Sequence, residues 1–316
     1  MVEKFANDAV AVSVIIASYN SANVIQACLN SLRQQKVAQP FEIVVADSSN
    51  DGTDRLIETL YPEVRLVRLS KRTYPGPARN AAVQASQGEI LAFLDSDCTV
   101  PADWVAQIVK AHQAGRQIVG GAVLNGTQHS YVGTAEHISE FSEYSPLQKA
   151  GSLRMVPTCN LSIRRKIFEG AGTFESVETG RQVFKSEDEL LCCRIGALGY
   201  KIHFNPAIKV YHHNRVKLQQ FLRNQVSLGF GLAVVSRLVV TRRSRAIMRY
   251  SSLSFLIPLL KAGILLRRMV SYGPSELLKL LFHFPLIFLG SCYYTMGFTR
   301  GFDVPLKTES QSSSSK

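Results

Sequence analysis

The sequence predicts an α/β protein, a doubly wound and mostly parallel sheet followed by a helical, membrane-associated appendage. Three observations predict it. From Val10 to about Leu124, apolar runs of strand length alternate with helix-length segments, the rhythm of a parallel sheet wrapped by helices. The first run, Ala9–Ala17, is apolar except for Ser13, as a strand covered on both faces should be. From about Phe221 the chain becomes helical in pattern, apolar and basic.

The elements follow in order. After the first strand, Asn23 to Gln35 reads as a helix with Val24, Ala27, Cys28, Ser31 and Leu32 on one face. Next come a strand at Phe41–Ala46, a helix at Thr53–Leu60 and a strand at Val64–Leu69. Pro77–Gln87 reads as a helix, with Pro77 in its first turn and Gly88 closing it. Ile90–Leu94 is the fourth strand. Past Leu124 the rhythm breaks, and Gly120–Leu124 and Lys201–Tyr211 read as further strands. Glu187–Leu198 reads as a helix stopped by Gly199. The segment Asn125–Tyr144 gives no clear pattern.

At 316 residues and 46% hydrophobic content, the chain can bury a large core, which excludes disorder for most of it. The net charge of +12 is local: 14 Lys or Arg residues and no Asp or Glu lie between Leu190 and Ser275. The basic residues interleave with apolar runs such as Leu253–Leu266. That pairing fits membrane lipids with anionic headgroups and excludes nucleic acid as the expected partner. The six cysteines (Cys28, Cys98, Cys159, Cys192, Cys193, Cys292) show no metal-binding spacing and read as buried thiols of a reducing compartment. Met1 to Asp8 has no apolar signal-peptide core, so the expected site is the cytoplasmic face of the cell membrane.

Three strand ends are polar: Ser18-Tyr19-Asn20, the run Asp47 to Thr53, and Asp95-Ser96-Asp97-Cys98. Ligands of doubly wound sheets bind at the carboxyl ends of the strands. Two carboxylates one residue apart, directly after a buried strand, can converge on one hard cation, Mn2+ or Mg2+, that also takes phosphate oxygens. Asp97 is the direct ligand in this reading, with Asp95 acting directly or through water. A solvated turn is the alternative for an isolated pair.

These segments resemble the family 2 glycosyltransferases, inverting enzymes of the GT-A fold. Val12 to Asn20 is similar to that family's first strand and nucleotide-binding turn, which carries Ser18 and Tyr19 into the site. Glu42 to Thr53 resembles its second-strand segment, with Ala46 and Ser48 departing from the pattern. The resemblance implies that Asp47 binds the base and that Arg79, within Gly76-Pro77-Ala78-Arg79-Asn80, lies against the nucleotide. Asp95 and Asp97 match its metal-binding pair. Pro157 to Arg165 resembles the acceptor-side segment through Asn160. Ser186-Glu187-Asp188-Glu189 resembles the acidic motif whose Asp is the catalytic base, and Val210-Tyr211-His212-His213 the later His site that can ligate the metal. These motifs arrive in the family's order between Val10 and Gly231, and ordered co-occurrence is far more specific than any one of them.

The resemblance therefore implies an inverting, metal-dependent transferase. It would move a sugar from a nucleotide-diphosphate donor to a lipid-linked or polysaccharide acceptor. Such transfer needs a base for the acceptor hydroxyl and a stabiliser for the departing diphosphate. Asp188 is the expected base, with Glu187, placed on the acceptor side, and Glu189 as its rivals. His212 is a ligand or a structural histidine. The alternatives are a nucleotide-sugar-binding protein without transfer, and a nucleotidyltransferase. The latter would carry a Gly-rich phosphate loop after its first strand, which Ser18-Tyr19-Asn20-Ser21 is not.

The expected domains are residues 1–220 for catalysis, 221–307 for a basic apolar helical region, and 308–316 for a disordered tail. Leu253–Leu266 is too short to cross a membrane and contains Pro258 and Lys261, whereas Leu280–Phe298 is about long enough. Basic residues flank the first segment on both sides, which disfavours a simple crossing. Interfacial helices or a re-entrant hairpin are expected, with one span at Leu280–Phe298 or a soluble helical bundle as alternatives.

Overall fold

The computed structural model describes residues 10–174, 177–178, 186–239, 242–249, 251–304 and 307–308. It opens with β1 (Val12–Ser18), α1 (Ile25–Arg33), β2 (Phe41–Asp47), α2 (Thr53–Leu60), β3 (Arg65–Arg68), α3 (Pro75–Gln84) and β4 (Ile90–Asp95). Then come β5 (Cys98–Thr99), α4 (Trp104–Gln113), β6 (Ile118–Asn125), α5 (Tyr131–Phe141), β7 (Gly151–Leu153), β8 (Leu161–Arg164) and α6 (Arg165–Ala171). The order ends with β9 (Val177–Glu178), α7 (Glu187–Ala197), β10 (Ile202–His212), α8 (Leu218–Leu238), α9 (Arg242–Arg249), α10 (Ile257–Tyr272), α11 (Pro274–Asp303) and β11 (Lys307–Thr308). The chain divides into two compact units. One comprises residues 1–126, 149–174 and 191–212, the other 127–148, 175–190 and 213–316.

The first unit is the α/β sheet, with strands in the order β3-β2-β1-β4-β8-β6-β10-β5 and β7 alongside β10. β3, β2, β1 and β4 run parallel, as do β6 and β10. β8 lies antiparallel between β4 and β6. Val12, Val14, Ile15, Ile16, Val44, Val45 and Leu91 to Leu94 are all fully buried. This is the both-faced burial that their unbroken apolar runs require, and each large side chain contributes about 1.5–3 kcal/mol.

Ser13, the one polar residue inside β1 before Ser18 ends it, is paired twice. Its hydroxyl donates to Glu42 Oε1 at 2.7 Å and accepts from the Gly88 backbone N at 2.7 Å. Gly88 therefore does not close α3, whose last helical residue is Gln84. Its role is close approach, since a Cβ there would lie 2.5 Å from the Ser13 backbone N. In α1 the buried face is Ile25, Cys28, Leu29 and Leu32, and Ala27 is exposed. The apolar stripe follows the i, i+3, i+4, i+7 spacing from Ile25, not from Val24 as the sequence suggested.

The second unit is helical. α8 and α11 pack so closely that a Cβ on Gly229 would overlap the Tyr294 carbonyl, and one on Gly297 the Val226 carbonyl. Its interior also holds charge. Glu136 is fully buried and accepts from the Arg215 backbone N (2.6 Å), Arg215 Nη1 (2.7 Å) and Asn224 Nδ2 (3.0 Å). Glu140 on the same helix accepts from Asn224 and Gln225, and the Lys261 ammonium sits 4.0 Å from the Tyr294 ring centroid. Its outside is apolar along Leu253–Leu289: Leu253, Phe255, Leu259, Leu260, Ile264, Leu266, Val270, Leu278, Leu281 and Phe282 are among the exposed residues. α11 is long and apolar enough to cross a membrane. The expected tail at 308–316 lies outside the described residues except for Thr308, which pairs with Val177 across β11 and β9.

Candidate active site

The strand order reverses at β1, which has β2 on one side and β4 on the other. A crevice opens where the helices following neighbouring strands go to opposite faces. The register sets the carboxyl ends level: Ser18 pairs with Asp47, and Ala17 with Asp95. The polar strand ends that the sequence singled out are therefore neighbours. Asp47 is buried, and its carboxylate accepts from the Ser49 hydroxyl at 2.6 Å and the Ser49 backbone N at 3.1 Å. The Ser18 hydroxyl is also buried and has no hydrogen-bond partner among the described residues. A buried hydroxyl without a partner is costly, so Ser18 is suited to a ligand that supplies one.

The loops after β1 and β2 brace each other. Asn20 holds a left-handed backbone (φ 52°), which lets its backbone N donate to Ser49 Oγ while its side chain accepts from the Asn50 N. Asp51 accepts from Thr53 and from the Ala22 backbone N. Burial pushes its carboxyl up, but these hydrogen bonds outweigh that and hold it below the ordinary aspartate value. Tyr19 is exposed at the end of β1, and the Arg72 guanidinium lies 4.7 Å from its ring centroid and 6.0 Å from that of Tyr74. Arg72 and Tyr74 were not singled out from the sequence, because the pairing joins loops about 50 residues apart.

Arg79 projects from α3 and is buried. Its Nη2 lies 2.7 Å from Asp95 Oδ1, and its guanidinium 5.6 Å from the Phe174 ring centroid. The pair fixes the first carboxylate of the Asp95-Ser96-Asp97 turn, which Ser96 ties further through a 2.9 Å contact with Ser21. Asp97 is half-exposed, and its Oδ1 lies 3.6 Å from His212 Nε2. β5 and β10 are antiparallel with Cys98 opposite His212, so the ligand atoms of Asp97, Cys98 and His212 fall within 4.8 Å of one another. A carboxylate, an imidazole and a thiol form a donor set that fits a divalent cation. Cys98 carries no spacing signal, and only the strand register brings it here.

Asn160 lies inside the sheet unit. Its amide donates to Ala122 O (2.9 Å) and Ile208 O (3.0 Å) and accepts from Trp104 Nε1 (3.0 Å). That geometry makes it a brace between strands, with both amide hydrogens used. Glu187 and Asp188 begin α7 in the other unit, with Glu187 buried and Asp188 half-buried. The Glu189 backbone N donates to Asp188 Oδ1 at 2.8 Å, and Leu190 packs on Phe230, Val234 and Val235.

The chain is similar to glycosyltransferases in both sequence and structure. It is 32% identical over 169 residues to glycosyltransferase AglE of Haloferax volcanii, an alignment covering 52% of this chain and 55% of that protein. It is 26% identical over 235 residues to succinoglycan biosynthesis protein ExoM of Rhizobium meliloti, covering 71% and 74%. The chain thus spans about half, or less, of the length of several curated relatives that it matches. Among solved structures, the mannosyltransferase PcManGT of Pyrobaculum calidifontis, in complex with GDP-Man and Mn2+, aligns with a TM-score of 0.55 at 21% identity. That alignment covers 92% of this chain and 85% of PcManGT. S. aureus TarS 1-349 aligns at 0.54 and 16%, covering 93% and 90%. The sheet is that of the GT-A glycosyltransferases. With residues 13–171 matching the model of glycosyl transferase family 2, half of the chain, including the ends of β1, β2 and β4, falls within one family, and the chain belongs to the family 2 glycosyl transferases.

Proposed function

We propose that the chain is an inverting, divalent-cation-dependent glycosyltransferase that moves a sugar from a nucleotide-diphosphate donor to a lipid-linked or polysaccharide acceptor at the cytoplasmic face of a membrane. The observation that carries this reading is the grouping at the mouth of the sheet. Ser18 and Asp47 are in register, Asp95 is held by Arg79, and Asp97 lies 3.6 Å from His212. Ser18, Tyr19 and Asp47 would receive the nucleoside. A cation, Mn2+ or Mg2+, held by Asp97 and His212 would supply positive charge for the departing diphosphate. The neighbour PcManGT carries Mn2+ and GDP-Man, which supports the cation.

Asp188 would take the proton from the acceptor hydroxyl as its oxygen attacks the sugar's anomeric carbon. The bond to the nucleoside diphosphate breaks on the opposite face, giving inversion. Glu187 is the second candidate for the base. The exposed apolar residues of α10 and the first half of α11, in a stretch rich in Lys and Arg, support contact with anionic membrane lipids. ExoM, a succinoglycan biosynthesis protein by name, supports a polysaccharide or its lipid-linked precursor as acceptor.

A panel of nucleotide sugars tests the donor site by ligand-induced thermal shift with and without Mn2+. One donor should stabilise the protein in a cation-dependent way, by about 2.7 kcal/mol at a hundredfold excess over Kd. Asp97→Asn should abolish the cation dependence without lowering the ligand-free melting temperature, since Asp97 is half-exposed. An unchanged Mn2+ dependence in that variant overturns the assignment.

A further inference from the structure

The cation site contains a thiol that the proposed reaction does not use. Cys98 is fully buried. It stands opposite His212 in the antiparallel β5–β10 pair, so the two side chains share one face of the ladder. Its Sγ, an Asp97 carboxylate oxygen and a His212 ring nitrogen all lie within 4.8 Å of one another. A tetrahedral shell with bonds of about 2.0–2.3 Å needs ligand separations of about 3.5 Å, so a contraction of about one ångström would bring all three onto one ion. Hard cations such as Mg2+ and Mn2+ take oxygen and do not seek sulfur, whereas Zn2+ and Co2+ accept a mixed oxygen, nitrogen and sulfur set.

We propose that Cys98 is a third ligand of this site, so that it binds Zn2+ or Co2+ through Asp97, Cys98 and His212 in competition with the hard cation. The inference rests on the reading of Asp97 and His212 as a cation site. On binding, the Cys98 S–H bond breaks, its proton passes to the buffer, and a sulfur–metal bond forms with no change of oxidation state. Three protein ligands leave a fourth position open, as catalytic zinc sites do.

Cobalt spectroscopy on the full chain separates the two readings. Co2+ added to the wild-type protein should produce a thiolate-to-cobalt charge-transfer band in the near ultraviolet. Zn2+ should abolish the band at stoichiometric amounts, and Mn2+ should reduce it only in large excess. Cys98→Ser and Cys98→Ala should both lose the band and bind Zn2+ about tenfold or more weakly, while keeping Mn2+ binding as followed by the loss of the free-ion resonance signal. Cys159→Ser should keep the band, and melting curves establish that each variant is folded. Wild-type protein that binds Mn2+ but shows no thiolate band with Co2+ overturns this inference alone. A band that survives in both folded Cys98 variants overturns it too, because another thiol is then the ligand. Failure of Co2+, Zn2+ and Mn2+ alike to bind overturns the cation site itself.

Discussion

The two compact units are built for opposite surroundings. In the sheet unit the apolar strands are buried on both faces, and the carboxylates collect where the strands end. In the helical unit a carboxylate, Glu136, is fully buried and hydrogen-bonded, while leucines and phenylalanines of α10 and α11 face outward. Water reaches the half-exposed Asp95 and Asp97, and Ser49 hydrogen-bonds the buried Asp47, whereas exposed Leu260 or Phe282 is favourable only against another apolar surface. One unit thus presents polar chemistry and the other presents apolar area, and they can be disrupted separately.

The largest effect should come from the acid at the start of α7. Asp188→Asn should lower transfer by about 10²-fold or more while leaving donor affinity unchanged, because a base acts on the acceptor. Asp97→Asn should do the reverse, failing first at donor binding. Single-turnover kinetics beside donor titration compares the two, and near wild-type transfer by Asp188→Asn moves the base to Glu187.

The helical packing comes next. Gly297→Ala places a methyl group against the Val226 carbonyl, a backbone atom that cannot rotate away. A destabilisation of about 1–3 kcal/mol is expected from such overpacking. Urea unfolding measures it, and a neutral result shows that α8 and α11 can slide apart without loss.

The sheet unit carries its own pH signature. Burial, reinforced by the Arg164 charge, pushes His112 down to about 3, and its Nε2 lies 2.9 Å from Ser162 Oγ. The unfolded chain takes up a proton near pH 6.5 that the folded protein refuses until about pH 3. The stability this supplies is complete above pH 6.5 and is lost as pH falls through that window. Between pH 7 and 5 the loss should be about 2 kcal/mol, and His112→Leu should flatten the dependence. An unchanged pH slope in that variant assigns the loss to other groups.

The smallest effect concerns the apolar outside. Leu260→Glu and Ile264→Glu change exposed positions of α10, so folding and donor binding should stay as in wild type. Flotation with anionic liposomes should weaken about tenfold for each, the scale of one lost aliphatic burial. Equal flotation of the variants removes α10 from the membrane contact.

Much of the sheet half is local information. α2 occupies Thr53–Leu60 as its pattern reads, and β1, β2 and β4 lie within a few residues of their apolar runs, because burial on both faces leaves an unbroken run in the sequence. The segments around α4, α5 and β8 were not legible. β8 is four residues long, and its antiparallel place between β4 and β6 depends on partners about 40 and 70 residues away. The acids at the strand ends, Asp47, Asp95 and Asp97, the acid Asp188 at the start of α7, and the chain's apolar, basic character beyond Phe221 are written in residue order alone. What only the tertiary structure decided is who meets whom. It gave Arg79 to Asp95, Asn160 to the sheet interior, Gly88 to Ser13, and Cys98 to His212. Strand register and close packing set these contacts, and both are properties of distant segments brought together, which no single stretch of sequence carries.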